Sequence, residues 1–330
     1  MLMNKAAKLL ACMLLAGAAQ TASAAGTGYL FVSSEEDDVV TVLDAQSLQK
    51  VEEIAVSERP RWLAFSPDHT RLYVACGDGN SIDIIDVGKM EVVDRIEDVD
   101  DPEIFDLGPN GDRLYISNED DAQFTIYDIA SKELLERVEV GEEPEGVLVT
   151  PDGKTAYVTS EVANMVHRID LESNELTDNI VVGNRPRRFA LSPDGQELWV
   201  SNELSGSVSI IDTDSNQVVE DISFQPEGFR PEDVTPVGIL LTPDGKSAYV
   251  TLGRANHVAV VDAQSREILD YVLVGSRAWG LALSEDGRRL YVTNGLSDDL
   301  SVVDTTEREQ LRSVPVGRVP HSVVIDTTGG

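Results

Sequence analysis

Asp44, Asp86, Asp128, Asp170, Asp212, Asp262 and Asp304 each close a short apolar strand, and five of the six intervals between them are 42 residues. The sixth, from Asp212 to Asp262, is 50. A fixed period in that range means one supersecondary unit per repeat, with neighbouring units burying each other's faces. The unit is plainest in Leu290–Asp304, LYVTNGLSDDLSVVD: an apolar strand, a polar turn, then a second strand ending in Asp.

Each repeat carries four strand signals, as in Trp62–Phe65, Leu72–Ala75, Ile82–Asp86 and Val92–Ile96, rich in β-branched and aromatic residues. The first connection recurs as Ser or Thr, Pro, Asp, Gly at 150–153, 192–195 and 242–245, the chemistry of a type I turn. The closing aspartates are expected to accept N–H bonds from the turn after them, a scaffold role. The first strand of each unit is apolar at successive positions, as in Leu63-Ala64-Phe65 and Val147-Leu148-Val149, so both its faces are covered. That is the setting of the innermost strand of a propeller blade. The chain starts on strands two to four (Tyr29–Val56) and ends on a lone inner strand (Pro320–Ile325), which should close the ring. The expected fold is an all-β, seven-bladed β-propeller of four-stranded antiparallel blades, one domain over residues 25–330.

The first 24 residues do not belong to the repeat. Lys5 and Lys8 precede the apolar run Leu9–Ala19, and Ala22-Ser23-Ala24 fits a cleavage site, which reads as a signal peptide and a periplasmic destination. The rival reading is a lipobox at Leu9–Cys12, but few apolar residues precede that cysteine. No later run is apolar enough to span a bilayer. The mature chain keeps only Cys76, so no intrachain disulfide forms. Net charge is −33, and −35 once the two lysines leave (−33 − 2). Such a field repels nucleic acid and anionic membrane surfaces.

Tyr291-Val292-Thr293-Asn294, with its variants YISN at 115–118, YVTS at 157–160 and WVSN at 199–202, resembles the YVTN family of bacterial β-propellers. The 42-residue period and the VG-x-x-P segments at 140–144, 182–186 and 316–320 match as well. The layout is similar to an exported subgroup that accompanies pyrroloquinoline-quinone-dependent alcohol catabolism and an ABC transporter. The resemblance implies a non-catalytic binding propeller, with a quinoprotein dehydrogenase or a transporter component as partner.

Comparing the repeats with one another separates scaffold from candidate site. The position after the residue that opens each inner strand reads Arg61, Glu103, Glu145, Arg187, Val237, Trp279 and His321. The position before that opening residue reads Arg59, Asp101, Glu143, Arg185, Thr235, Arg277 and Val319. Both columns fall where the loops meet the central channel. Arg59, Arg61, Arg185, Arg187, Arg277 and His321, with Trp279 to stack, are expected to form a basic sector for a small anionic ligand. Glu103 and Glu145 form an acidic one. The alternative is that these charges pair across the mouth. Asp106 breaks an otherwise apolar inner-strand column. It is either met by water or a neighbouring blade's polar group, or poised as an acid or base.

The eight extra residues, within FQPEGFRPEDVT, are expected either as a flap over the mouth bearing Phe229 and Arg230, or as a neutral surface insertion. No haem, nucleotide, G-x-S-x-G or paired-histidine metal motif is present, so no cofactor or metal is implied. The acidic runs at 35–38 and 119–121 lack the spacing of a calcium loop. Beside the accessory role stand two alternatives. One is a lactonase-type hydrolase using Glu103, Glu145, Arg187 and His321 in the channel. The other is a docking subunit for a small redox protein.

Overall fold

The computed structural model describes residues 26–327, so the expected signal segment and Cys12 lie outside the described residues. Seven four-stranded antiparallel sheets form the ring. Blade 1 joins the two chain ends: Pro320–Ile325 is its inner strand, followed by Tyr29–Ser34, Val39–Asp44 and Lys50–Ala55. The closing strand pairs Leu30 with Ile325, Phe31 with Val324 and Val32 with Val323. The inner strands of blades 2 to 7 are Pro60–Phe65, Pro102–Leu107, Pro144–Val149, Pro186–Leu191, Ile239–Leu241 and Ala278–Leu283.

The apolar core lies between blades. Tyr73, Ile82 and Ile84 of blade 2, for example, pack on Phe105, Leu114 and Ile116 of blade 3. Each such side chain contributes about 1.5–3 kcal/mol by leaving water, and neither blade could bury it alone.

At one end of the ring the turns are local and self-satisfied. The closing aspartates accept N–H bonds within the next turn: Ser47 to Asp44 at 2.7 Å, Ser131 to Asp128 at 2.7 Å, Ser215 to Asp212 at 2.8 Å.

At the other end three devices repeat. The residue before the inner strand is left-handed in six blades: Arg59, Asp101, Glu143, Arg185, Arg277 and Val319 have φ between 32° and 61°. Each such residue costs about 1–2 kcal/mol. Its carbonyl accepts the N–H of the residue after the second strand, as Glu119 to Asp101 (3.4 Å), Glu161 to Glu143 (3.0 Å) and Glu203 to Arg185 (2.8 Å). Next, a bulge follows the opening residue, breaking the register between Pro60 and Leu63, Pro102 and Phe105, Pro144 and Val147, and Pro186 and Phe189. The bulge aims two consecutive side chains away from the ladder, a device common beside active sites.

The third device explains the YVTN-like motif. Its hydroxyl takes the N–H of one blade's bulge and donates to the bulge carbonyl of the next. Thr159 Oγ1 accepts from Gly146 N (2.7 Å) and donates to Arg187 O (3.1 Å). Thr251 links Gly238 to Trp279, and Thr293 links Gly280 to His321. Ser33, Ser117 and Ser201 do the same for Arg61, Glu145 and Val237. The motif is thus blade-to-blade mortar.

The extra residues are not a flap. Phe229 packs edge-on against His257 (5.4 Å), the Tyr271 hydroxyl accepts Gln225 N–H (2.9 Å), and exposed Arg230 pairs with Asp233 (2.9 Å). The insertion half-buries Phe229 against the outer flank of blade 6, and the surface reading holds.

Candidate functional site: the channel mouth

The bulges and left-handed turns gather charge at one mouth of the channel, and the charge carried by the bulges is buried. Arg61, Glu103, Glu145, Glu161, Arg187, Arg188 and His321 are all buried. Arg61 Nη2 lies 2.6 Å from Glu103 Oε2, and Arg59 Nη2 lies 3.0 Å from Oε1 of the same carboxylate. Arg59 also reaches Asp101 (3.2 Å). Arg187 bonds Glu161 and lies 3.3 Å from Glu145. Arg185 sits 2.6 Å from Glu161 and 3.2 Å from Glu203.

The expected basic sector is therefore corrected. Around the ring two acidic blades follow one basic blade and precede another, so Arg61 and Arg187 turn toward Glu103 and Glu145 instead of a free ligand space. A buried guanidinium cannot stay unpaired cheaply. Among the described mouth arginines, Arg277 has no carboxylate within ion-pair distance. It lies over the Trp279 ring (5.0 Å), which Arg187 also faces (5.3 Å). Trp279 in turn leans on His321, their ring centres 4.9 Å apart.

Asp106 is not at the mouth. Its carboxylate accepts the N–H groups of Leu107 (2.8 Å) and of Val149 on the next blade (2.7 Å). Burial holds it up at about 6 against those two bonds. The neighbouring blade meets it, as the satisfied-polar reading expects.

Two groups of mouth residues escape the two columns. One is the residue after each YVTN-type tetrapeptide of the second strand: Glu35, Gly77, Glu119, Glu161, Glu203, Gly253 and Gly295. It varies with strong chemistry, by the same test that picked the others. The second is Arg188, beside Arg187 on the bulge. Arg188 Nη2 lies 3.1 Å from Glu145 Oε1 and 3.1 Å from His321 Nε2, and its guanidinium covers the Trp62 ring at 5.0 Å.

The carboxyls are pushed apart. Burial would raise Glu145, but Arg187, Arg188 and Arg61 overcome it and hold the group well below the usual range. Burial keeps Glu161 well above that range, with Glu145 adding to the effect and Arg187 opposing it. Burial and then Glu103 push Glu119 up to about 8. His321 is held neutral by burial and then by Arg61, Arg188 and Arg187. Carboxyls of opposite protonation beside fixed guanidiniums are the parts of acid–base chemistry on an ester. Asp101, Glu103 and Glu119, or Glu119, Glu143 and Glu161, also bring one oxygen each within 4.8 Å, a spacing a cation could bridge.

The chain's resemblances fit this geometry. Residues 177–324 match the family described as Lactonase, 7-bladed beta-propeller. Residues 33–183 match a choice-of-anchor I domain. No curated protein matches the sequence. The fold is similar to that of the periplasmic gluconolactonase of Pseudomonas aeruginosa, with a TM-score of 0.78 and 21% identity over 91% of this chain and 99% of that one. It is also similar to a putative 6-phosphogluconolactonase from Bacteroides uniformis, at TM-score 0.75 and 16% identity over 90% and 98%. Hydrazine synthase of Kuenenia stuttgartiensis matches at TM-score 0.70 and 22% identity over 82% and 96%. At these identities the likenesses speak to the fold.

These findings overturn the expected non-catalytic role beside quinone-dependent alcohol catabolism. That expectation rested on the YVTN-like motif. The motif's hydroxyl is spent on joining blades, so it carries fold and not function. Most of the bulge residues that differ between repeats are buried around the channel mouth, and the stretch bearing Arg187, Arg188, Trp279 and His321 is the one that matches a lactonase family.

Proposed function

We propose that this protein is a periplasmic lactonase-type hydrolase that opens a cyclic ester at the channel mouth. The observation that carries this is the contact between Glu161, a carboxyl held well above its usual range, and the buried Arg187 guanidinium. The family match over residues 177–324 supports the same reaction. The signal-like N-terminus and the periplasmic gluconolactonase neighbour support the location.

In this reading Glu161 takes a proton from water as the water oxygen attacks the lactone carbonyl. The carbonyl electrons move to oxygen, and the resulting oxyanion is met by Arg187. Collapse breaks the ring C–O bond, and Glu161 returns its proton to the departing alkoxide, giving a hydroxy acid. A base whose ionisation lies near the working pH contributes about 10²–10⁴-fold, and a fixed donor to the oxyanion about 10²–10³-fold. Glu145 holds Arg187 and Arg188 in place, and Trp279 offers a flat wall for the ring.

Release of acid from glucono-δ-lactone and simple γ-lactones, corrected for spontaneous opening, tests this. Saturable turnover is expected, with Glu161→Gln lowering kcat at least about a hundredfold while circular dichroism stays native. No saturable turnover on any of these lactones would contradict it.

A further inference from the structure

Beneath the ion-paired mouth the channel keeps a cavity of about 70 Å³, and every inner-strand segment contributes a residue to its wall. Trp62, Ile104, Phe189, Ile239 and Trp279 make most of it apolar. Arg188 and His321 interrupt it, at 6% and 3% exposure. Each has an atom with no hydrogen-bond partner, Arg188 Nη1 and His321 Nδ1. The Arg61 carbonyl comes near the imidazole without completing a bond to Nδ1.

Both atoms are donors. Arginine has no acceptor, so the 3.1 Å contact from its Nη2 makes His321 Nε2 the acceptor. The neutral ring then carries its proton on Nδ1. A buried guanidinium donor with no acceptor, beside an imidazole N–H with only the Arg61 carbonyl near it, asks for a ligand that brings acceptors. Charge points the same way. The Arg188 guanidinium, held down to about 10 by burial and then by Arg187 and Arg61 against the pull of Glu145, stays cationic at neutral pH. Glu145 is its sole carboxylate partner among the described residues, at 3.1 Å, and the same group is shared with Arg187 (3.3 Å) and Arg61 (3.9 Å). The room suits a small planar group: 70 Å³ holds about two waters at roughly 30 Å³ each, and tryptophans stand on two sides.

We propose that this cavity is a carboxylate subsite, in which a carboxylate that the substrate carries beyond its lactone ring accepts from Arg188 and His321. The preferred substrate is then the lactone of a diacid and not that of a simple aldonic acid. The substrate half of this inference rests on the lactonase reading; the anion site does not.

Two measurements on the full mature chain test it. The first is tryptophan fluorescence titrated with acetate, succinate and chloride, for wild type, Arg188→Met and Arg188→Lys. Wild type should bind the carboxylates in preference to chloride, Arg188→Met should weaken binding about ten- to a hundredfold, and Arg188→Lys should weaken it less. The lysine variant keeps the buried charge, so it stands in if the methionine variant fails to fold. The second compares kcat/KM on glucaro-1,4-lactone and glucono-lactones, with an expected preference of at least tenfold for the diacid that Arg188→Lys reduces. No carboxylate binding by wild type, or binding of chloride as tight as of carboxylates, overturns the subsite. Turnover of both lactones at equal efficiency overturns the diacid preference and leaves the lactonase reading standing. Carboxylate binding with no turnover of any lactone leaves the subsite standing and sinks the lactonase reading.

Discussion

The two ends of the ring both carry carboxylates and use them in opposite ways. At the far end Asp128, Asp152, Asp194 and Asp212 take bonds from the hydroxyls and N–H groups of their own turns, which hold each carboxyl below its ordinary range. At the mouth Glu103, Glu145 and Glu161 are buried, and their partners sit on other blades, so burial raises some and arginines lower others. Local satisfaction makes a repeatable scaffold. Satisfaction across blades makes each carboxyl different, and difference is what acid–base chemistry requires.

The sharpest way to break this contrast is to remove the strand that both ends share. Deleting the chain from Pro320 onward takes away the inner strand of blade 1 along with His321, and cooperative unfolding should be lost. A truncated protein that melts like the parent would mean the ring is held some other way. Next in size, Glu145→Gln leaves three guanidiniums without their common carboxylate and should cost about 3–5 kcal/mol in chemical denaturation. Asp128→Asn at the far end should leave the midpoint close to wild type. Equal losses from the two would erase the distinction.

Thr159→Val sharpens the comparison at the level of one hydroxyl. It removes the link from Gly146 to Arg187 and should cost about 1–3 kcal/mol through unsatisfied backbone groups. It should also lower kcat more than it raises KM, because Arg187 is no longer fixed. Thr150→Val in a far-end turn should leave kcat alone. The smallest effect concerns pH. Glu119, held up at about 8 in the fold, ionises near 4.5 in the unfolded chain, so the native state holds its proton more tightly. Its contribution therefore falls as pH rises from about 4.5 to 8. Relative to wild type, Glu119→Gln should gain stability between pH 5 and pH 8, and a constant difference would remove the raised ionisation from the account.

The fold was legible because it is periodic: seven aspartates, the S/T-P-D-G turns and the lone C-terminal strand specify the ring, and Leu30–Ile325 pairing closes it as expected. The first site column was legible because its chemistry varies between repeats. Arg188 was not, since alternation along a strand sends neighbouring residues to opposite faces, and only the bulge turns Arg187 and Arg188 both inward. Glu161 and Glu119 were missed because they follow a different strand and reach the mouth through a backbone bond to the left-handed turn. The expectation of arginines left unpaired for an anionic ligand failed for a related reason. Arg61 and Glu103 stand one repeat apart in sequence, and nothing local says that a guanidinium will cross to the next blade.

The most direct measurement is the pH dependence of kcat/KM on a lactone between pH 5 and 9, for wild type and Glu161→Gln. With Glu161 as base, activity requires the deprotonated carboxyl, so the wild-type profile should rise through a single ionisation well above the ordinary carboxylate range and then level off. Glu161→Gln should lose that limb together with most of the rate. A wild-type profile that simply follows hydroxide concentration, or a Glu161→Gln profile that overlays it, would contradict the assignment of the mouth as the hydrolytic site.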